Sequence, residues 1–214
     1  MKNLGIIGLG RLGEFYLRDL VNLKINPIIL KNSTYKTSLK RVQELNKKYN
    51  LKVKAARTFK RFFKDKFDTV LICSLSIFHY NHIKKTLENN RDVIIEKPII
   101  SLNRKVSKKR NLKKLNDLFN YNNKIYYNLI NEYYAKKYLK LFKNKKFSLK
   151  KFDFFYHTTG QHVYDQIIDD LLPHLFSILD NLIKYKSIHS IKKKVNKNYC
   201  EIKFYVDNCF CSIK

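Results

Sequence analysis

An apolar run, a cluster of glycines and an amphipathic helix follow one another at the start of this chain, and that succession constrains the fold more than any other feature. Residues 3–9 (NLGIIGL) read as a short buried strand. Gly8-Leu9-Gly10-Arg11-Leu12-Gly13 then gives the spacing G-x-G-x-x-G, and a helical pattern follows from Leu12 to Leu23 through Phe15, Tyr16 and Leu20. Between a strand and a helix, this spacing makes a turn suited to a dinucleotide pyrophosphate. Gly8 permits the tight turn, Gly10 lets backbone approach the phosphates, and Gly13 lets helix and strand pack closely. The helix N-terminus at Arg11 and Leu12 offers free N–H groups to the same phosphates. A glycine-rich turn with no ligand is the competing reading, which the flanking strand and helix disfavour.

Strand and helix patterns keep alternating after that turn. Asn26–Leu30, Leu51–Val53, Phe67–Ser74, Asp92–Ile95 and Lys124–Leu129 read as strands; Thr37–Tyr49, His79–Asn89 and Lys105–Leu118 read as helices. The nearly continuous apolar run Phe67–Ser74 suits a parallel strand covered on both faces. Such alternation predicts an α/β class, with a Rossmann-type doubly wound parallel sheet over residues 1–130. From 131 to 214 the pattern changes to a helix at Ala135–Phe142, a strand at Phe147–Tyr156, a helix at Pro173–Lys184 and strands at 188–195, 199–206 and 209–213. This predicts a smaller α+β domain with a mostly antiparallel sheet, for substrate or oligomer contacts. Because Cys209–Ile213 still reads as sheet, either its edge strand is open or this domain is truncated.

Bulk properties exclude some classes. No apolar run reaches the ~18 residues of a membrane span, and Arg11 and Glu14 interrupt the leading apolar stretch before a signal peptide could form. Cys73, Cys200, Cys209 and Cys211 form no C-x-x-C pair, so a disulfide framework is not expected and a cytoplasmic location is. The formal charge of +28, from 45 basic and 17 acidic residues, would suit nucleic acid, an anionic membrane or a phosphorylated ligand. Lysine is nevertheless spread along the whole chain with abundant Asn, Ile, Phe and Tyr, as AT-rich codons would produce. A binding surface requires clustering on one face, so nucleic acid and membrane are not the expected partners.

After the second strand, a dinucleotide fingerprint usually carries an Asp or Glu for the adenosine ribose. Lys31-Asn32-Ser33-Thr34 stands there instead, followed by Lys36. An acid-free basic loop can accept a 2′-phosphate that a carboxylate would repel, so Lys31, Asn32 and Ser33 predict NADP over NAD, with NAD still possible. The general abundance of lysine is the rival explanation.

Two further segments carry a resemblance. Val70-Leu71-Ile72-Cys73-Ser74-Leu75-Ser76-Ile77-Phe78-His79, then a helix, then Asp92-Val93-Ile94-Ile95-Glu96-Lys97-Pro98, resembles the Gfo/Idh/MocA oxidoreductases. In that family the fourth strand leads to a histidine and the fifth ends in Glu-Lys-Pro. The resemblance covers Met1 to about Pro98 and continues more faintly to His174. It departs at Leu75, where the family often has proline, which predicts a looser loop beside the nicotinamide. It implies that Ser74, His79 and Glu96 line the cofactor site and that Lys97 sits beside nicotinamide and substrate. Chemistry agrees for Lys97, since the carboxyl end of a parallel strand lines the ligand crevice. An ammonium there can bond the oxygen at the reacting carbon, with Pro98 fixing the backbone that aims it.

In the second half, Asp170-Leu171-Leu172-Pro173-His174 resembles the family's D-x-x-x-H. Pro173 suits a first helical turn, which would put both polar residues at the start of an apolar helix. His174 would then move the substrate proton, with Asp170 raising its basicity. A capping aspartate and a satisfied core histidine remain the alternative. Asn131 matches a position where the family often touches substrate, though without the usual arginine neighbour. The tyrosines around it could stack a ring or belong to a core strand. His79-x-x-His82 as a metal pair lacks a third ligand, and Cys209-x-Cys211 fits a packed strand better than zinc; no metal is expected. The sequence thus predicts an NAD(P)-dependent oxidoreductase working on a hydroxyl or carbonyl carbon of a sugar, sugar derivative or nucleotide-sugar, in a homo-oligomer. A non-catalytic NAD(P)-binding sensor or regulator, and a basic nucleic-acid-binding protein, are the alternatives.

Overall fold

A computed structural model describes residues 3–25, 27–30, 35–100, 108–127, 130–141, 149–155, 164–196 and 199–214. The chain divides into two compact units, residues 1–128 and 129–214.

In the first unit the strands are β1 (Leu4–Ile7), β2 (Ile28–Leu30), β3 (Lys54–Ala55), β4 (Thr69–Ile72), β5 (Asp92–Ile95) and β6 (Ile125–Tyr127). The helices are α1 (Arg11–Asn22), α2 (Tyr35–Tyr49), α3 (Phe59–Phe62), α4 (Ser76–Glu88) and α5 (Lys108–Phe119). Among the described residues they form one parallel six-stranded sheet in the order β3-β2-β1-β4-β5-β6. Ile6 and Ile7 point to opposite faces, as the two-residue strand period requires. Ile6 joins Leu17, Ile29 and Leu45 on one side, and Ile7 joins Phe62, Ile72 and Ile95 on the other. Both faces are covered, so β1 and β4 read as apolar runs rather than alternating ones. Each such side chain contributes about 1.5–3 kcal/mol on burial. The strand order reverses between β1 and β4, and in an open parallel sheet that reversal leaves a crevice outside the carboxyl ends of the strands. The third strand lies at Lys54–Ala55 rather than Leu51–Val53. Leu51 and Val53 are buried instead in the approach to the strand, where Asn46 bonds both backbone groups of Val53.

The second unit holds α6 (Ile130–Leu141), β7 (Lys151–Phe154), α7 (Tyr164–Leu182), β8 (Ile188–Asn196), β9 (Tyr199–Val206) and β10 (Cys209–Ile213). Among the described residues its sheet runs β7-β10-β9-β8, with β10 antiparallel to β9 and parallel to β7. Strand β10 is therefore interior, which removes the open-edge alternative for it: β7 supplies the second partner across a long stretch of chain. Leu175 and Leu179 of α7 pack on Ile202, Phe204, Cys211 and Ile213. Pro173 also departs from expectation, because it lies inside α7 and not in its first turn. A proline there deletes one helical hydrogen bond and costs about 3 kcal/mol. The apolar stripe Leu172, Leu175 and Leu179 runs on through it and buries against the sheet, which favours an unbroken helix.

Candidate nicotinamide-dinucleotide site

The glycine turn joins β1 to α1, and its three glycines do different jobs. Gly8 has φ +99°, and a Cβ on it would lie 2.6 Å from Ser74 N and 2.7 Å from the Cys73 carbonyl carbon. A Cβ on Gly13 would be driven into the Gly8 carbonyl oxygen. Both positions serve the close approach of turn, helix and β4. Gly10 caps α1 with ordinary extended angles and no side-chain hydrogen bond, and the described residues leave nothing within 4 Å of where its Cβ would stand. The first N–H groups of α1, at Arg11, Leu12 and Gly13, have no partner within the helix, the arrangement that a pyrophosphate can use.

Beside that turn lie the residues after β4, and next to them those after β5. Ser74 follows β4, while His79 and His82 come from α4, three residues apart on one helix face. The Nε2 atom of His79 lies 2.8 Å from the Ser74 carbonyl oxygen, and Nδ1 lies 2.6 Å from the Pro98 carbonyl oxygen. Both partners are acceptors, so a neutral ring makes one of these bonds and an imidazolium makes both. His82 Nδ1 lies 2.8 Å from the Ser74 hydroxyl, and its ring sits between Phe59 and Phe78. Burial, then the neighbouring His79 and Lys85, push His82 down to about 4. Leu75 takes φ −61° and ψ 141°, angles a proline ring would also accept. Leucine therefore leaves the backbone here at angles that proline would also set.

Glu96, Lys97 and Pro98 follow β5 and are all half-buried. The Tyr16 hydroxyl donates to Glu96, which fastens α1 to the end of β5. Burial and then the Glu96 charge push the Cys73 thiol up to about 12, so this cysteine is a packing residue without thiolate chemistry. Glu14 ties α1 to α2 by accepting from Tyr49 at 2.9 Å and pairing with Arg41 at 2.5 Å.

Lys31, Asn32 and Ser33 lie outside the described residues, while Lys36 is exposed in the first turn of α2. Asn131 and Asp170 fall within α6 and α7, with side chains outside the described residues. His174 is half-buried in α7, and its carbonyl accepts from Ser177 at 2.7 Å. Two contributors carry no site signal in the sequence pattern: Tyr16 reads there only as part of the apolar face of α1, and His82 only as half of a metal pair, with its i, i+3 spacing to His79 the available sign. Cys209 and Cys211 face the core with sulfurs 4.0 Å apart, and among the described residues no group of three or more His, Cys, Asp or Glu is placed to hold a metal.

The family model of the Gfo/Idh/MocA oxidoreductases, described as an oxidoreductase family with an NAD-binding Rossmann fold, matches residues 2–126. The chain belongs to this family. Its members and solved neighbours are oxidoreductases and dehydrogenases. Among solved structures, this Gfo/Idh/MocA chain is similar to myo-inositol dehydrogenase from Lactobacillus casei in complex with NAD(H) and myo-inositol, at 13% identity and a TM-score of 0.75, covering 100% of this chain and 66% of that one. It is similar to a Gfo/Idh/MocA family oxidoreductase from Vibrio cholerae at 14% identity and a TM-score of 0.71, covering 100% and 69%. A dehydrogenase from Clostridium difficile gives 16% identity and a TM-score of 0.71, covering 99% and 69%. The chain thus spans about two thirds of the length of these structures, and at such identities they establish the fold. No curated protein matches it by sequence. Among the described residues no helix is long and apolar enough to cross a membrane.

Proposed function

We propose that this chain is an NADP-preferring dehydrogenase or reductase that moves hydride between the nicotinamide and a hydroxyl or carbonyl carbon of a sugar or sugar derivative. The open space over Gly10 at the N-terminus of α1 carries this reading, because a dinucleotide pyrophosphate is the ligand such a turn fits. Gly8, Gly10, Arg11, Leu12 and Gly13 would hold the phosphates, Lys31, Asn32 and Ser33 the 2′-phosphate, and Ser74 and Glu96 the nicotinamide half. When bound, the cofactor accepts or donates the hydride. Lys97 stabilises charge on the substrate oxygen, His174 moves the proton with Asp170 orienting it, and Asn131 bonds substrate. The solved Lactobacillus casei neighbour, with its NAD(H) and myo-inositol, supports a polyhydroxylated small molecule as substrate. A homo-oligomer in the cytoplasm accords with this role.

Fluorescence titration with NADPH and NADH, then a hydride-transfer assay across inositols, hexoses and nucleotide-sugars, tests the proposal. Binding with turnover of a sugar is expected. Absence of binding to either nucleotide overturns it, and binding with no turnover of any sugar leaves a sensor in its place.

A further inference from the structure

We infer that His82 is a positioning residue, holding the Ser74 hydroxyl at the mouth of the crevice for a hydrogen-bonding group of the bound dinucleotide. The inference rests on the proposed function and adds a residue to it. Ser74 is placed by three contacts. Its backbone packs on Gly8 of the phosphate turn, its carbonyl lies 2.8 Å from His79 Nε2, and its hydroxyl lies 2.8 Å from His82 Nδ1. Two imidazoles on one face of α4 thus fix both ends of a single half-exposed residue.

A satisfied core histidine does not account for His82 as well. The slot between Phe59 and Phe78 is aromatic, and His82 is only 5% exposed. A phenylalanine would fill that slot without burying a titratable ring, whose charged form burial already disfavours strongly. Nor does a serine in a half-exposed residue position need a buried imidazole as its partner. What the histidine adds is a fixed direction for that hydroxyl, beside the turn where the strand order reverses.

The test titrates NADPH against wild type, Ser74→Ala, His82→Phe, His82→Asn and the double variant Ser74→Ala/His82→Phe, with the melting temperature of each apoprotein alongside. Ser74→Ala and His82→Phe should each weaken binding by about three- to tenfold, the range of one net hydrogen bond. The double variant should bind no more weakly than Ser74→Ala alone, because His82 then has no hydroxyl left to position. His82→Asn, whose amide reaches the Nδ1 position, should stay within about twofold of wild type. Multiplying losses in the double variant, or wild-type binding by His82→Phe, overturns the inference. Should His82→Phe fail to fold, His82→Gln replaces it, since that amide reaches toward Nε2 instead; unchanged binding there is equally decisive. Wild type that binds no nicotinamide nucleotide overturns the proposed function, whereas wild type that binds and a Ser74→Ala variant that binds equally overturns this inference alone.

Discussion

His79 meets the carbonyl oxygen of Pro98 at 2.6 Å, so the helix that follows β4 fastens the segment that follows β5. Lys97 stands directly before that fastened residue. The backbone at Lys97 is therefore tied to α4 as well as to β5, and the segments after β4 and β5 share one buried histidine, 2% exposed.

The three glycines should separate by experiment. Gly10→Val should abolish NADPH binding measured by calorimetry while the melting temperature stays within a few degrees of wild type, because its Cβ meets no described atom within 4 Å. Gly8→Val and Gly13→Val should lose the fold itself, one through its φ of +99° and both through collision with backbone. Retained binding in a folded Gly10→Val protein would show that phosphates do not sit at this turn.

NADPH should bind more tightly than NADH, because no carboxylate stands at Lys31-Asn32-Ser33-Thr34 to repel a 2′-phosphate. Competitive fluorescence titrations measure the ratio. Ser33→Asp should shift it toward NADH; equal affinities in wild type would remove the basis for the preference.

Lys97→Ala and His174→Ala should each keep NADPH binding and lose most turnover, with the histidine accounting for ~10²–10⁴-fold in rate. Removing both should cost less than the product of the single losses if they act on one substrate atom. Normal turnover by His174→Ala would dismiss it as the acid/base group.

Stability should rise with pH across the weakly acidic range through His82. Its native value of about 4 lies below the ordinary histidine value of 6.5, so as pH falls the unfolded chain binds the extra proton first. The contribution is present in full above about 6.5 and is lost as pH falls from there toward about 4. Denaturant melts of wild type and His82→Asn at stepped pH would measure it, and the variant should show a flatter slope through that window. Identical slopes would mean that the ring is not held neutral by burial.

Local chemistry made much of this protein legible in its sequence. Gly8 and Gly13 announce a tight strand-to-helix turn because only glycine tolerates the angle at the first and the backbone contacts at both, and that constraint acts within six residues. The strands Asp92–Ile95 and Cys209–Ile213 are bounded where their apolar patterns stop, since burial of alternating or continuous apolar side chains is itself what makes them strands. Lys97 is marked by its place after such a strand. Tertiary structure alone decided the rest, because each remaining feature depends on what a distant segment supplies. Pro173 stays helical because the stripe around it has a sheet to bury against, and β10 is interior because Lys151–Phe154 returns to pair with it. Tyr16 reaches Glu96 across 80 positions of sequence, and His82 becomes a partner of Ser74 only when α4 folds back beside the end of β4. Side-chain hydrogen bonds of this kind leave no period in a sequence, so nothing short of packed elements could reveal them.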